Sequence, residues 1–189
     1  IDKLIVATNQ NDILHRAISK GSYEAEKVSE TISPSMDIQI ASNFERLIFD
    51  LNNGDDQQTS LDMKNIKEKG QYLINDDKLN KISENFLSAR MSEDETLEVI
   101  KKVYEKYSVV LDPHTAIGYG AFDKHNLKGN NIVLATAHPC KFPDAVSKAI
   151  NLKSDLPKEL EFILNEKEDY DILENNLEKI KNYIIGKTK

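Results

Sequence analysis

Apolar residues in this chain follow two spacings. Short unbroken runs read as strands buried on both faces, and stripes at i, i+3 and i+4 read as helices with one buried face. Leu4-Ile5-Val6-Ala7 is the first run and ends in Thr8-Asn9. Val109-Val110-Leu111 is a second, and Ile132-Val133-Leu134-Ala135 a third that ends in Thr136. Asp12 to Ser19 reads as a helix capped by Asn9 or Asn11, with Ile13, Leu14, Ala17 and Ile18 on one face and Gly21 as its stop. Phe44, Leu47, Ile48 and Leu51 form the stripe of a helix opened by a Ser42…Glu45 capping box and ended by Gly54. Ser92 and Glu95 make a second capping box, and its helix carries Leu97, Ile100, Val103, Tyr104 and Tyr107. A helix also begins after Asp112-Pro113, which turns the chain out of the second run, and another at Pro143-Asp144, where proline occupies a position that needs no N–H. Two more are expected near 157–165 and 171–185, the last with Leu173, Leu177, Ile180 and Ile184 apolar and Gly186 beyond it. Residues 29–43 have no period and read as a long, specific loop.

From Asn52 the sequence turns polar, with weak helical patterning near 59–69 and 78–89. Strands interleaved with helices predict an α/β fold around a parallel sheet. Residues 1–51 read as part of a large domain, 52–90 as a polar helical insertion carried outside the sheet, 91–150 as further large-domain elements and 151–189 as C-terminal helices. Ile132 to Ala135 ends abruptly in small and polar residues before the helix at Pro143. A buried parallel strand delivering its tip to a ligand crevice has this form. Asp112 to Gly120 looks built to stand beside it. A strand run almost at residue 1 leads us to expect a piece of a longer sheet.

Composition narrows the partners. With 39% hydrophobic and 30% charged residues, the chain reads as soluble and globular. The formal charge is −7, with no basic block or aromatic-basic interleaving, so nucleic acid and anionic membrane are poor partners. No apolar run approaches the roughly 20 residues of a membrane span. Cys140 is the single cysteine, which leaves no disulfide or thiolate zinc site within the chain and fits a cytoplasmic setting.

Several residues could carry chemistry. His114 and His138, with Asp112 and Asp144 nearby, could ligate a metal as in a hydrolase. Neither has a partner at helical ligand spacing, and the same imidazoles could pin their loops or contact a ligand directly. Cys140 lies near a helix start, which would favour its thiolate, but buried structural cysteine is commoner. Thr136 either ends a strand or offers its hydroxyl to a heteroaromatic ring nitrogen. No glycine-rich phosphate loop is present.

Five motifs add a resemblance. Val6-Ala7-Thr8-Asn9-Gln10-Asn11-Asp12-Ile13-Leu14-His15-Arg16, Ser33-Pro34-Ser35-Met36-Asp37-Ile38, Ser42-Asn43-Phe44-Glu45-Arg46-Leu47, Leu111-Asp112-Pro113-His114-Thr115-Ala116 and Ala135-Thr136-Ala137-His138-Pro139 occur in that order. Together they closely resemble the C-terminal part of threonine synthase. The resemblance implies a pyridoxal-phosphate lyase of the tryptophan-synthase-like fold (fold type II). Its reaction takes O-phospho-L-homoserine and water to L-threonine and phosphate. It implies that Thr136 hydrogen-bonds the pyridine nitrogen of pyridoxal 5'-phosphate; a neutral hydroxyl, unlike a carboxylate, need not keep that nitrogen protonated. His114, Thr115 and His138 match residues lining the cofactor cleft. Asn43, Arg46 and Lys141 are the expected holders of the substrate's carboxylate or phosphate, since such anions need cations or N–H donors. The Schiff-base lysine and the phosphate loop are expected in an N-terminal portion of the same enzyme, so that this segment alone is inactive. A non-catalytic interaction or regulatory module derived from the same fold is the competing reading. An upstream lysine in the same polypeptide discriminates the two.

Overall fold

In the computed structural model, which describes residues 1–188, β1 (Leu4–Thr8) forms where the first apolar run lies. Its neighbour comes from an unexpected place. Phe86–Arg90, at the end of the polar stretch, is a strand (β4) that pairs with β1 in parallel, Leu4 opposite Phe86 and Thr8 opposite Arg90. The helix expected over 78–89 is correspondingly shorter: α4 covers Asp76–Asn85. Ser88 hides this strand from a pattern reading, because it interrupts the apolar run. In the fold its hydroxyl lies 2.9 Å from His15 Nδ1, so a polar residue fits a half-buried strand.

Consecutive strand residues face opposite sides of a sheet. Val6 packs against one cluster that includes Ile13, Ala17, Ile48, Ile66 and Ile82. Ala7 packs against another, with Met91, Val99, Ile100, Val103, Ala116 and Ile117. The β1–β4 pair thus separates two cores. The first is built by α1 (Ile13–Lys20), α2 (Phe44–Leu51), α3 (Asp56–Lys69) and α4; the second by α5 (Glu93–Tyr107) and α6 (Pro113–His125). α7 (Pro143–Ile150) packs on α5. A small antiparallel ladder, β2 (Ser22–Glu24) with β3 (Gln71–Leu73), edges the first core. Buried Tyr23 stacks on Phe44 at 4.9 Å, and its hydroxyl accepts the Ala41 N–H.

Several local expectations change. Gly21 does end α1 in the left-handed conformation, but Asn9 and Asn11 do not cap it; Asp12 is the N-cap residue and makes no side-chain cap bond. α2 starts at Phe44, which puts Glu45 second rather than third, so the Ser42 capping box does not form. The Ser92–Glu95 capping box does form, though α5 buries Thr96, Val99, Ile100 and Val103 and leaves Tyr107 exposed.

Neither Val109–Leu111 nor Ile132–Ala135 is a strand. The first is the link between left-handed Ser108 and the cap of α6, and among the described residues no other backbone pairs with it. In the second, only Val133 turns inward, over Gly118, while Ile132 and Leu134 stay 87% and 75% exposed. Among the described residues no other backbone pairs with it.

The chain divides into two units, Ile1–Asp155 and the residues from Leu156 on. The second holds a 3₁₀ segment (Lys158–Asn165) where a helix was expected, and α8 (Leu177–Lys187), which contains Gly186 and begins after Leu173. No helix among the described residues is long and apolar enough to cross a membrane.

Candidate functional site

Asp112 opens α6 as its N-cap, and Pro113 follows at the first helical position. Its side chain is fully buried and accepts from the backbone N–H of His114 at 2.9 Å, from the Thr115 N–H and from the Thr115 hydroxyl. His114 Nδ1 lies 3.0 Å from the same carboxylate, and His114 Nε2 is 3.3 Å from the Ser35 N–H. A backbone N–H only donates, so Nε2 is the bare nitrogen and Nδ1 carries the proton given to Asp112. One buried carboxylate therefore sets a helix start, a tautomer and a hydroxyl. Thr115 Oγ1 in turn accepts the Thr136 N–H at 3.1 Å and lies 3.5 Å from Thr136 Oγ1.

Above these groups is a cavity of about 280 Å³ lined by Ser35, Met36, His114, Thr136, Ala137, Lys141 and Phe142. The Phe142 ring tilts over His114 at 4.7 Å. The wall carrying Ser35 and Met36 is held from below. Buried Asn9, just past β1, donates to Ser33 Oγ at 2.9 Å and to Asp37 Oδ1 at 2.7 Å. Asn11 Nδ2 adds a bond to Asp37 Oδ1 at 2.9 Å, and Asp37 Oδ2 accepts the Thr31 N–H. The long loop is thus fixed although it has no regular structure. Thr8 and Asn9 do not line the cavity; Asn9 acts through the loop it fastens.

The expected site residues divide. His114, Thr115 and Thr136 come together at the N-terminus of α6, and Lys141 supplies an ammonium to the same cavity. His138 is exposed and caps the 3₁₀ turn Pro139–Lys141, its Nδ1 accepting the Cys140 N–H at 3.2 Å. It shapes the turn that presents Ala137 and Lys141 rather than lining the cavity. Asn43 and Arg46 sit exposed at the start of α2 and are not among the lining residues. Ser35, Met36 and Phe142 line it without having been singled out. Asp112 stood out in the sequence only as a carboxylate beside His114, its capping role coming from the structure, and nothing local marked Met36 or Phe142. Among the described residues no three His, Cys, Asp or Glu side chains gather as metal ligands.

Residues 115–184 match the protein family described as threonine synthase, C-terminal. The chain is related to the C-terminal part of threonine synthase. It is 38% identical over 187 residues to the threonine synthase of Pseudomonas aeruginosa, covering 97% of this chain and 40% of that protein. The Saccharomyces cerevisiae threonine synthase is 39% identical, with 97% and 41% covered. Among solved structures, PLP-bound threonine synthase from Brucella melitensis superposes with a TM-score of 0.88 at 41% identity, covering 97% of this chain and 40% of that one. Yeast threonine synthase gives 0.85 at 38%, with 100% and 42% covered. The chain spans about two fifths of the length of these relatives. The α/β class expected from the strand and helix pattern is the fold these threonine synthase structures share with it.

Proposed function

We propose that this chain forms the C-terminal part of a pyridoxal-phosphate-dependent threonine synthase, a cytoplasmic enzyme of threonine biosynthesis. The reaction is the conversion of O-phospho-L-homoserine and water to L-threonine and phosphate. The observation that carries the reading is the cavity at Thr136, in a chain similar over 97% of its length to threonine synthases. Its lining suits the cofactor: Met36 and Phe142 offer apolar surface for a flat ring, Thr136 a hydroxyl for a ring nitrogen, and Lys141 a cation for an anionic group. Bound pyridoxal phosphate supplies the electron sink for the carbanions of a γ-elimination and a β-addition. The chain's own residues orient it. Thr115 holds Thr136 by its N–H, His114 braces the Ser35 wall, and Lys141 attracts the substrate's carboxylate or phosphate. Lys141 acts through charge, and the lysine that anchors the cofactor covalently belongs to an N-terminal portion of the enzyme. The proposal rests on His114, Thr115, Thr136 and Lys141, with His138 in support, and not on Asn43 or Arg46.

The test is phosphate release from O-phosphohomoserine by the complete protein loaded with cofactor, with threonine identified as the other product. A loaded protein that binds cofactor but releases no phosphate overturns the assignment. Thr136→Val should shift the absorbance of the bound cofactor and lower turnover by about tenfold or more, the rate equivalent of one lost hydrogen bond near 1.4 kcal/mol. An unchanged spectrum and rate would remove Thr136 from the site.

A further inference from the structure

Asn9 stands just past the carboxyl end of β1, the end of a parallel strand beyond which ligands bind. Its side chain is buried and its orientation is fixed. The Asn11 backbone N–H, which only donates, meets Asn9 Oδ1 at 2.8 Å, so the NH₂ is the group turned toward the long loop. That NH₂ joins the two ends of one turn. It donates to Ser33 Oγ at 2.9 Å and to Asp37 Oδ1 at 2.7 Å. Between these anchors the chain makes a 3₁₀ turn, with the Met36 N–H on the Ser33 carbonyl and the Asp37 N–H on that of Pro34. Ser35 and Met36, which the turn presents, line the cavity. Asp37 is as fully engaged as Asn9. Its carboxylate accepts from Asn9, from Asn11 Nδ2 at 2.9 Å, from the Thr31 hydroxyl at 2.7 Å and from the Thr31 N–H at 2.8 Å, all neutral donors. Four donors fit the lone pairs of an ionised carboxylate and leave no room for a donor of its own.

We propose that Asn9 is a positioning residue for the reaction: holding both ends of the Ser33–Asp37 turn on one amide, it sets where Ser35 and Met36 stand relative to Thr136 and Lys141, and so the fit of what binds between them. The inference rests on the reading that this cavity takes the cofactor and substrate. Asn9 itself touches neither. The clasp works only while a neutral donor faces an ionised acceptor, and this makes it testable by charge.

Asn9→Asp sets a second carboxylate oxygen where the NH₂ now meets Asp37. Two carboxylates in contact cannot both stay ionised, so the turn opens or one proton is shared between them. The complete holoenzyme is labelled with carbon-13 at its methionine methyls. Met36 then reports the cavity wall, while Met63 and Met91 report the two cores. At pH ~8, Asn9→Asp should shift the Met36 methyl and lower kcat/KM for O-phosphohomoserine about tenfold or more, with Met63 and Met91 unmoved. Toward pH ~5.5 both values should return to those of wild type as a proton enters the pair. Other titratable groups border the loop: Asp12, tied to Arg16 and Arg90; Glu93, which accepts the Ile32 N–H; and His114 against the Ser35 N–H. Wild type shares them all, so each value is taken as a ratio to wild type at the same pH. Asn9→Ala adds no charge and should give the same loss with no recovery in acid; it carries the test alone should Asn9→Asp not fold. A folded variant with both the Met36 methyl and kcat/KM at wild-type values overturns the proposal. So does a moved methyl with unchanged kcat/KM, or a loss in Asn9→Asp that acid leaves uncorrected. In those cases phosphate release by wild type keeps the cofactor assignment. A wild-type holoenzyme that releases no phosphate removes that assignment and the proposal with it.

Discussion

Thr8 closes β1 with its hydroxyl buried and, among the described residues, without a hydrogen-bond partner. An unsatisfied buried hydroxyl carries a desolvation cost of roughly 1–3 kcal/mol, whereas an isosteric methyl carries none. Thr8→Val should therefore raise stability by about 1 kcal/mol, seen as a higher denaturant midpoint at unchanged slope. A lower midpoint would mean that the hydroxyl has a partner in the complete protein. At this scale the cavity was half legible. His114 follows a turn at Asp112-Pro113 and begins a helix, and Thr136 follows an apolar run, so both were visible as chemistry. Met36 and Phe142 were not, because an apolar side chain beside a cavity has the same local signature as one in a core. Asn43 and Arg46 show the converse: residues with suitable N–H donors whose place is set by where α2 begins.

Elements were read best where a cap states a boundary. Ser92, Asp112 and Gly21 each mark theirs, and each acts by satisfying backbone groups that a helix end leaves free. Gly21 does more than stop α1. It has φ +70°, and a Cβ there would lie 2.7 Å from the Ile74 carbonyl oxygen, while its own carbonyl accepts the Ile74 N–H at 2.8 Å. Gly21→Ala should cost roughly 1–3 kcal/mol by chemical denaturation, since both the left-handed backbone and a neighbouring main chain resist the methyl. A neutral result would show that the β3–α4 connection yields freely. Strands were read worst. Leu4–Thr8 is a strand because Phe86–Arg90 lies alongside it; Ile132–Ala135, an apolar run of the same four residue types, has no such neighbour among the described residues.

Across the whole molecule, the β1–β4 pair ties its two cores together, and His15 sits at that junction. Its ring reaches Ser88 of β4, and Ser88's carbonyl oxygen lies 3.1 Å from His125 Nε2 at the far end of α6. Burial pushes the His15 pKa below the ordinary 6.5; Asp12 opposes this, and Lys20, Arg90 and Lys124 add to it. A folded value below the unfolded one means that the unfolded chain binds more protons, so stability rises with pH. This contribution is complete above about 6.5 and is lost as pH falls from there through the lowered folded value. His15→Gln should flatten the stability–pH curve in that window, measured by denaturation at a series of pH values. An unaltered curve would place the acid sensitivity elsewhere.

Local sequence determined most of the helices, the boundaries at Gly21 and Ser92 and the order of motifs that relates the chain to threonine synthase, because caps and helical stripes act within a few residues. The resemblance also marked Thr136, His114, Thr115 and His138 as a set, of which the structure brings the first three together. Only the tertiary structure decided that a serine-interrupted segment pairs with β1, that Asn9 and Asn11 fasten a loop more than twenty residues away, and that Asp112 governs two side chains at the cavity. Periodicity records how deeply a residue is buried; it carries no record of which distant backbone or proton will meet it there.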